Sequence, residues 1–290
     1  MPITIAERLR DSARATMSFE FFPPKDEAGQ AQLRLAIKEL EMRHPDFISV
    51  TYGASGSTRS RTIAATEFIA KETSISTMGH LTCVSQSVDE LRGALDAYLA
   101  VGVNHILALR GDPPGGPTAP WEKHPHGLNN ATELVRLVKA SGNFCVGVAA
   151  FPDAHPDNHD FALDARILRE KQEAGAEFGI TQLFFGAEKY FRLLQRLDAA
   201  GCTLPIIPGI MPIANVGQVE RFATLSGAEF PAGLLARLDT AQSPGEVRAI
   251  GLDIATELCQ ELLAGGAPGL HFFTQNRSKT TTAIMRRLLG

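Results

Sequence analysis

The sequence of 290 residues has no excess of positive charge and no long apolar run. Lysine and arginine total 28 against 32 acidic residues, and no basic cluster of the kind that binds a nucleic-acid backbone occurs. No window approaches the roughly 18 uninterrupted apolar residues that a membrane-spanning helix needs. Residues 1–17 carry arginines and acids where a signal peptide is apolar. We therefore expect neither nucleic acid nor membrane as a partner, and a cytoplasmic location.

Cysteine is scarce, and two nucleotide-binding glycine motifs are missing. The four cysteines form no C-x-x-C pair, so we expect reduced, mostly buried thiols at Cys83, Cys145, Cys202 and Cys259. The G-x-G-x-x-G fingerprint of a doubly wound dinucleotide-binding sheet is absent, because GASGST at 53–58 has the wrong spacing. The phosphate loop G-x-x-x-x-G-K-[ST] is absent too. An open doubly wound sheet is therefore disfavoured.

Eight short β-prone runs alternate with segments of helical periodicity. The runs are SFEFF (18–22), FISVT (47–51), STMGHLTC (76–83), HILALR (105–110), FCVGVAAF (144–151), GITQLFF (179–185), PIIPGI (205–210) and GLHFFT (269–274). Segments such as SVDELRGALDAYLAVG between them end on the glycine that commonly follows a helix. Eight strand–helix units are the number that closes a (β/α)₈ TIM barrel.

The interval 211–268 is longer than the others and predicts extra helices near the C-terminal part. We expect helix 7, an inserted helical piece around AGLLARLD, a helix 8 from about residue 244 to 263, and a closing helix over 277–289. No low-complexity linker divides the chain. We predict a single (β/α)₈ catalytic domain over 1–290 with no appended regulatory domain.

Polar residues stand where the predicted strands end, which is where barrel enzymes place their chemistry. They are Glu20, Thr51, His80 with Thr82, Arg110 with Asp112, His155, Gln182, and Asn276 with Arg277. Glu20 alternates with Ser18 and Phe22 on the side facing the barrel, while the phenylalanines at 19 and 21 should face helices. A carboxyl in a partly dry pocket would have a raised pKa and could act as a general acid. The alternative is a structural ion pair with an arginine such as Arg110.

The other candidate residues could each have a purely structural role instead of a functional one. Asp112 follows strand 4 in a turn rich in glycine and proline, where aspartate is common. His155 and His159 have metal-ligand spacing, which leaves a metal-dependent barrel hydrolase using them with His80 as an alternative, although the nearby aspartates suit helix capping. Asp164 and Lys171 lie seven apart on one helix face, which could be a solvated surface.

Eight ordered motifs together resemble one enzyme family. They are SFEFFPPK, FISVTYGA, HLTC, ALRGDPP, VAAFPDAHP, GAEFGITQLFF, IIPGIMPI and LHFFTQNR. The chain is similar over nearly its whole length to the bacterial methylenetetrahydrofolate reductases. That resemblance implies a FAD-containing (β/α)₈ barrel that passes a hydride from NADH or NADPH to the flavin and then to 5,10-methylenetetrahydrofolate. The product would be 5-methyltetrahydrofolate, in one-carbon metabolism and methionine biosynthesis, and kinetics would be ping-pong.

The resemblance also implies roles for individual residues. Glu20 would be the general acid that opens the folate ring, and Asp112 would lie near the flavin and help to bind the pterin. Cofactor contacts are expected from Thr51, His80, Arg110, Gly111, Asp112, Ala131, His155, Asp164 and Lys171, and no metal site is expected. Substrate contacts are expected from Glu20, Gln182, Gln218, Phe222 and Arg277, with Phe222 stacking although an aromatic at helical spacing is more often a core residue.

The chain departs from the family pattern at two single positions and in the stretch 115–130, which matches no family motif. Asn130 stands before Ala131 where the family often has tyrosine, and Gln275 stands where the family has leucine. Family members commonly assemble, so a homo-oligomer is expected. A non-catalytic flavin- or folate-binding protein is the second alternative.

Overall fold

The computed structural model describes residues 3–11, 14–52, 56–116 and 119–289, apart from the side chains of residues 11, 56–59, 218, 222, 225 and 226. Its core is one parallel sheet in the order β7-β6-β5-β4-β3-β2-β1-β9-β8. The strands are β1 (Thr16–Phe21), β2 (Phe47–Val50), β3 (Ser76–Thr82), β4 (His105–Leu109), β5 (Cys145–Ala150), β6 (Phe178–Thr181), β7 (Ile206–Ile207), β8 (Gly209–Ile210) and β9 (Gly269–Phe273). The predicted barrel architecture is confirmed.

The seventh predicted strand is split in two at Pro208. β7 pairs with β6, whereas β8 pairs with β9, so this one run of chain contacts both ends of the sheet and brings the barrel almost to closure. Proline has no amide hydrogen and therefore interrupts the ladder. Its carbonyl still accepts a hydrogen bond from the amide of His271 at 3.0 Å.

The helices follow the predicted periodicity, including the additional ones in the C-terminal part. They are α1 (Ile5–Asp11), α2 (Glu27–Glu41), α3 (Gly56–Glu72), α4 (Val88–Ala100), α5 (Ala131–Ser141), α6 (Phe161–Glu173), α7 (Ala187–Ala199), α8 (Val216–Ser226), α9 (Ala232–Leu238), α10 (Pro244–Ala264) and α11 (Lys279–Leu289). Side-chain caps begin several of them, such as the reciprocal Ser87 and Glu90 capping box of α4. Among the described residues, no helix has the length and apolarity needed to cross a membrane.

Helix α1, which the sequence pattern did not predict, closes the N-terminal end of the barrel. Ile5 and Ala6 are buried in a cluster that includes Phe47, the first residue of β2. The amide of Ile5 donates to Nε2 of His105, the first residue of β4, at 3.3 Å. Burial lowers the pKa of His105 to about 4, so this imidazole is neutral in the folded protein. The opposite end of the barrel remains available for chemistry.

Candidate functional site

The Glu20 carboxyl lies inside the barrel, near the C-terminal end of β1. Oε1 accepts a hydrogen bond from the Thr51 hydroxyl at 3.1 Å, and Oε2 lies 3.3 Å from Nε2 of His271 and 3.5 Å from Nε2 of His80. The side chain is only 12% exposed. Phe19 belongs to the outer core beneath the helices, as alternation requires. The inward orientation predicted for Glu20 is confirmed.

Phe22 and Arg110 depart from expectation. Phe22 follows the last residue of β1 and is 39% exposed, so it does not face the barrel interior. Arg110 pairs with Asp157 and not with Glu20. The ion-pair alternative for Glu20 is therefore replaced by a cluster of one carboxyl and two imidazoles.

The expectation of a raised pKa for Glu20 is wrong. Burial is the strongest single influence and raises the pKa, but His80, His271 and Thr51 together lower it below its usual value. His80 contributes only when charged, and burial lowers its own pKa more than Glu20 raises it. The hydrogen bonds from His271 and Thr51 do not depend on that charge. The net lowering of the Glu20 pKa favours the ionised carboxyl at rest.

Two buried polar atoms on β3 have no hydrogen-bond partner among the described residues. They are Nε2 of His80 and Oγ1 of Thr82, which stand two residues apart on one face of the strand. Buried polar atoms are nearly always satisfied, so unsatisfied ones in a barrel interior indicate a place where a ligand supplies the missing bond. Both lie on the side that Glu20 faces.

A cavity of about 300 Å³ opens between the ends of β4 and β5 and helices α5 and α6. That volume lies at the small end of ligand pockets, which run from about 300 to 1,000 Å³. Its lining includes most of the residues expected to bind a cofactor, and in full comprises Arg110, Asn130, Ala131, Thr132, Ala149, Phe151, His155, Asp157, Asn158, Asp164, Ile167, Leu168, Glu170 and Lys171.

The helix face of Asp164 and Lys171 points into this cavity and not into solvent. Both residues are buried, at 7% and 8% exposure. Asp164 accepts hydrogen bonds from the amide of His155 at 2.7 Å and from Nδ2 of Asn158 at 3.0 Å. Burial lowers the pKa of Lys171 to about 8, with Asp164 opposing the shift and Arg110 adding to it. A buried ammonium with a lowered pKa is suited to an anionic ligand.

The departure at Asn130 has a local cause. Its side chain accepts from the amide of Glu133 at 3.0 Å and caps the N-terminus of α5. Ala131 is the first residue of that helix, so amides at a helix start also face the cavity. The Asn130 side chain therefore stabilises the start of α5.

Gly111 and Asp112 form the rim after β4. Gly111 has φ of +84°, and an added Cβ would lie 2.6 Å from Cγ1 of Val84 and 2.8 Å from Cβ of Thr82. Only glycine fits without displacement of this packing. Asp112 is exposed on the same loop.

The other predicted residues lie around the barrel mouth. Oε1 of Gln182 accepts from the amide of Leu183 at 2.9 Å, and Arg277 is exposed beyond β9. Gln218 and Phe222 stand on α8, but their side chains lie outside the described residues. Nε2 of Gln275 contacts the sulfur of Met211 at 2.9 Å.

The alternative of a metal-dependent hydrolase finds no support in this geometry. Across 3–11, 14–52, 56–116 and 119–289, no group of three or more histidine, cysteine, aspartate or glutamate side chains is placed to hold a metal. Nδ1 of His155 accepts from the amide of Asp157 at 3.1 Å, within its own loop. His80 lies with Glu20 in the barrel interior.

Two residues of the site, His271 and Trp121, were not singled out from the sequence. His271 is fully buried on β9, and its Nδ1 lies 2.8 Å from Oγ of Ser18. The alternation in GLHFF places Leu270 and Phe272 outward and His271 inward, so the signal was present. Trp121, whose ring centre lies 4.9 Å from the Arg110 guanidinium carbon, had no such signal because its loop has no periodicity.

A nearly closed parallel barrel with a carboxyl–imidazole cluster and a cavity lined by Arg110 and Lys171 at the C-terminal ends of its strands is typical of a barrel enzyme. The family model for methylenetetrahydrofolate reductase matches residues 4–289. The chain is 37% identical to the 5,10-methylenetetrahydrofolate reductase of Escherichia coli over 273 residues, 94% of this chain and 90% of that relative. The chain belongs to the methylenetetrahydrofolate reductase family and is an oxidoreductase of folate metabolism.

Relatives in plants and solved structures extend the comparison. The chain is 33% identical to a probable methylenetetrahydrofolate reductase (NADH) of Oryza sativa over 299 residues, covering 98% of this chain and 50% of that protein. A Clostridium thermocellum protein described as binding two copies of 5-methyl-5,6,7,8-tetrahydrofolic acid has a TM-score of 0.66 at 16% identity, covering 98% and 97% of the two chains. A dihydropteroate synthase from Stenotrophomonas maltophilia has a TM-score of 0.53 at 14% identity, covering 95% and 92%. These two structures support the fold.

Proposed function

We propose that this protein reduces 5,10-methylenetetrahydrofolate to 5-methyltetrahydrofolate with electrons from NADH or NADPH, using FAD and a ping-pong sequence. The observation that carries the proposal is the Glu20 carboxyl, buried in the barrel between two imidazoles. Family membership supports the folate as the substrate, and the description of the Oryza sativa relative as an NADH enzyme supports NADH as a reductant. The cofactor and the order of steps are our inference.

The residues present fit a flavin dinucleotide. Arg110 and Lys171 bring positive charge to the cavity, and the start of α5 adds helix amides, so the donors suit a pyrophosphate. Gly111 lets the rim loop adopt a left-handed backbone packed against Val84 and Thr82. The unpartnered atoms of His80 and Thr82 are donors or acceptors for a polar ring edge. Thr51, His155 and Asp164 complete the proposed cofactor contacts.

When bound, the flavin would supply the two-electron chemistry, accepting a hydride from the nicotinamide and giving it to the folate. The protein would supply position, exclusion of water and one proton. Glu20 is placed for the proton, which the folate needs when its five-membered ring opens to the reactive iminium. Asp112, Gln182, Gln218, Phe222 and Arg277 would hold the substrates at the barrel mouth.

The ionised Glu20 can gain a proton without leaving a buried group unpaired. With the carboxylate present, the Nε2 hydrogen of His271 donates to Oε2, and the Ser18 hydroxyl donates to Nδ1. With the carboxyl protonated, the Glu20 hydroxyl donates to Nε2 of His271. Nδ1 of His271 then donates to the Ser18 hydroxyl, which in turn donates to the carbonyl of Leu270 at 3.2 Å. Because both arrangements are satisfied, protonation of Glu20 breaks no buried hydrogen bond, and its remaining cost is the one that the lowered pKa sets.

The experiment follows the visible spectrum of purified protein before and after anaerobic addition of NADH or NADPH. We expect a yellow protein that bleaches with nucleotide and regains colour with 5,10-methylenetetrahydrofolate. The variant Glu20→Gln should keep its colour and its bleaching while folate reduction falls by about 100-fold or more, the usual size of a general-acid effect.

The matched control is Glu67→Gln, which removes a carboxylate of an exposed ion pair with Lys71 on α3. It should behave like the unmodified protein. Near-normal folate turnover by Glu20→Gln would refute the assignment of the proton donor. Yellow protein that neither nucleotide bleaches would instead favour a non-catalytic binding protein.

A further inference from the structure

Arg110 is held by three groups at the edge of the cavity. Its guanidinium pairs with the Asp157 carboxylate, its Nε donates to the carbonyl of Gly111 at 3.4 Å, and it lies over the Trp121 ring at 4.9 Å. Trp121 comes from the loop between β4 and α5, and Asp157 comes from the loop between β5 and α6. Both loops therefore contact the Arg110 guanidinium.

Asp157 is the carboxylate of the cavity that an incoming anion can displace. The oxygens of Asp164 are occupied by the amide of His155 and by Asn158, which fixes that side chain in its loop. Asp157 is bound through Arg110, its side chain is 36% exposed, and its amide remains bonded to Nδ1 of His155 whichever way the carboxylate points. Rotation of the carboxylate into solvent costs no backbone hydrogen bond.

We propose that Asp157 is an internal counter-ion, which occupies Arg110 when the cavity holds no ligand and yields it to the phosphates of the bound dinucleotide. This inference rests on the proposed function, because it needs a phosphate-bearing cofactor in this cavity. Trp121 keeps its place against the face of the guanidinium during the exchange, so that Arg110 does not follow Asp157 outward.

The size of the effect follows from the exposure of the pair. Partly exposed ion pairs are weak, so competition by Asp157 weakens cofactor binding by about fivefold at most. Replacing the carboxylate by an amide keeps the shape and removes the competing charge. The variant Asp157→Asn should therefore bind FAD more tightly than the unmodified protein, by about two- to fivefold.

The measurement is the FAD dissociation constant, obtained by diluting the holoprotein and following the fluorescence of released FAD. Glu170→Gln is the matched control, because Glu170 also lines the cavity and loses the same charge without a contact to Arg110. It should leave the dissociation constant within about 1.5-fold. Riboflavin, which has no phosphate, should bind equally to Asp157→Asn and to the unmodified protein.

The double variant Arg110→Gln/Asp157→Asn decides whether the effect passes through Arg110. We expect no tightening by Asp157→Asn when Arg110 is already replaced. Weaker FAD binding by Asp157→Asn would overturn the proposal and make Asp157 a clamp that positions Arg110. Equal tightening by Glu170→Gln, or tightening that persists without Arg110, would also overturn it. Should Asp157→Asn be poorly folded by circular dichroism, Asp157→Ser makes the same test. Unmodified protein that binds no FAD would refute the cofactor itself, which is a different result.

Discussion

The buried ammonium of Lys171 gives the clearest quantitative prediction. Its side chain lines the cavity, is 8% exposed, and donates to the carbonyl of Ala149 at 3.4 Å. Burial lowers its pKa to about 8, while Asp164 opposes that shift and Arg110 adds to it. A bound pyrophosphate favours the charged ammonium, so we expect cofactor binding to be coupled to protonation of Lys171.

The magnitude follows from this pKa. With a pKa of about 8 in the free protein, about nine-tenths of the molecules carry the ammonium at pH 7 and about one-tenth at pH 9. If the charged form binds FAD far better, the dissociation constant should rise by about tenfold between these two pH values. The sign is fixed, because a ligand that selects the protonated form loses affinity as pH rises through the free pKa.

The assay is a FAD titration at several pH values, with release followed by flavin fluorescence and folding checked by circular dichroism. Lys171→Met should bind FAD more weakly at pH 7 and show a flat profile up to pH 9. Lys71→Met, which removes an exposed ammonium on α3, should keep the profile of the unmodified protein. A change below about twofold in the unmodified protein, or a tenfold rise that survives in Lys171→Met, would refute the role of Lys171.

Three further predictions concern stability and the site rim. The His105 pKa of about 4 lies below its ordinary value, so the unfolded chain binds the proton first and stability falls as pH drops below about 6.5. Between pH 7 and 5, the unfolding free energy of the unmodified protein should fall by about 2 kcal/mol more than that of His105→Gln, as measured by urea titration. Gly111→Ala should weaken FAD binding by about tenfold or more, because left-handed backbone and contacts with Val84 and Thr82 resist a Cβ, and unchanged binding would contradict this. Asn130→Ala should lower the unfolding free energy by about 1 kcal/mol, whereas Asn130→Asp should preserve it.

Local patterns were sufficient for the architecture and for part of the site. Alternation within SFEFF placed Glu20 inward, and helical spacing placed Asp164 and Lys171 on one face, because both depend only on neighbouring dihedral angles. The split of the seventh strand at Pro208 also has a local cause, the missing amide hydrogen, although the run was predicted as a single strand. Helix α1 went unpredicted because seven residues give too little periodicity to register.

The sequence by itself determined the barrel, the order of its elements and the family, because periodicity and motif order are written along the chain. Only the tertiary structure decided the ionisation of Glu20, since that depends on His271, which is 251 positions away, and on His80 across the barrel. It also decided that Arg110 pairs with Asp157, 47 positions away, and stacks on Trp121. Charge and hydrogen bonding act through space, so a carboxyl whose burial alone would raise its pKa has it lowered by partners that no local pattern places beside it.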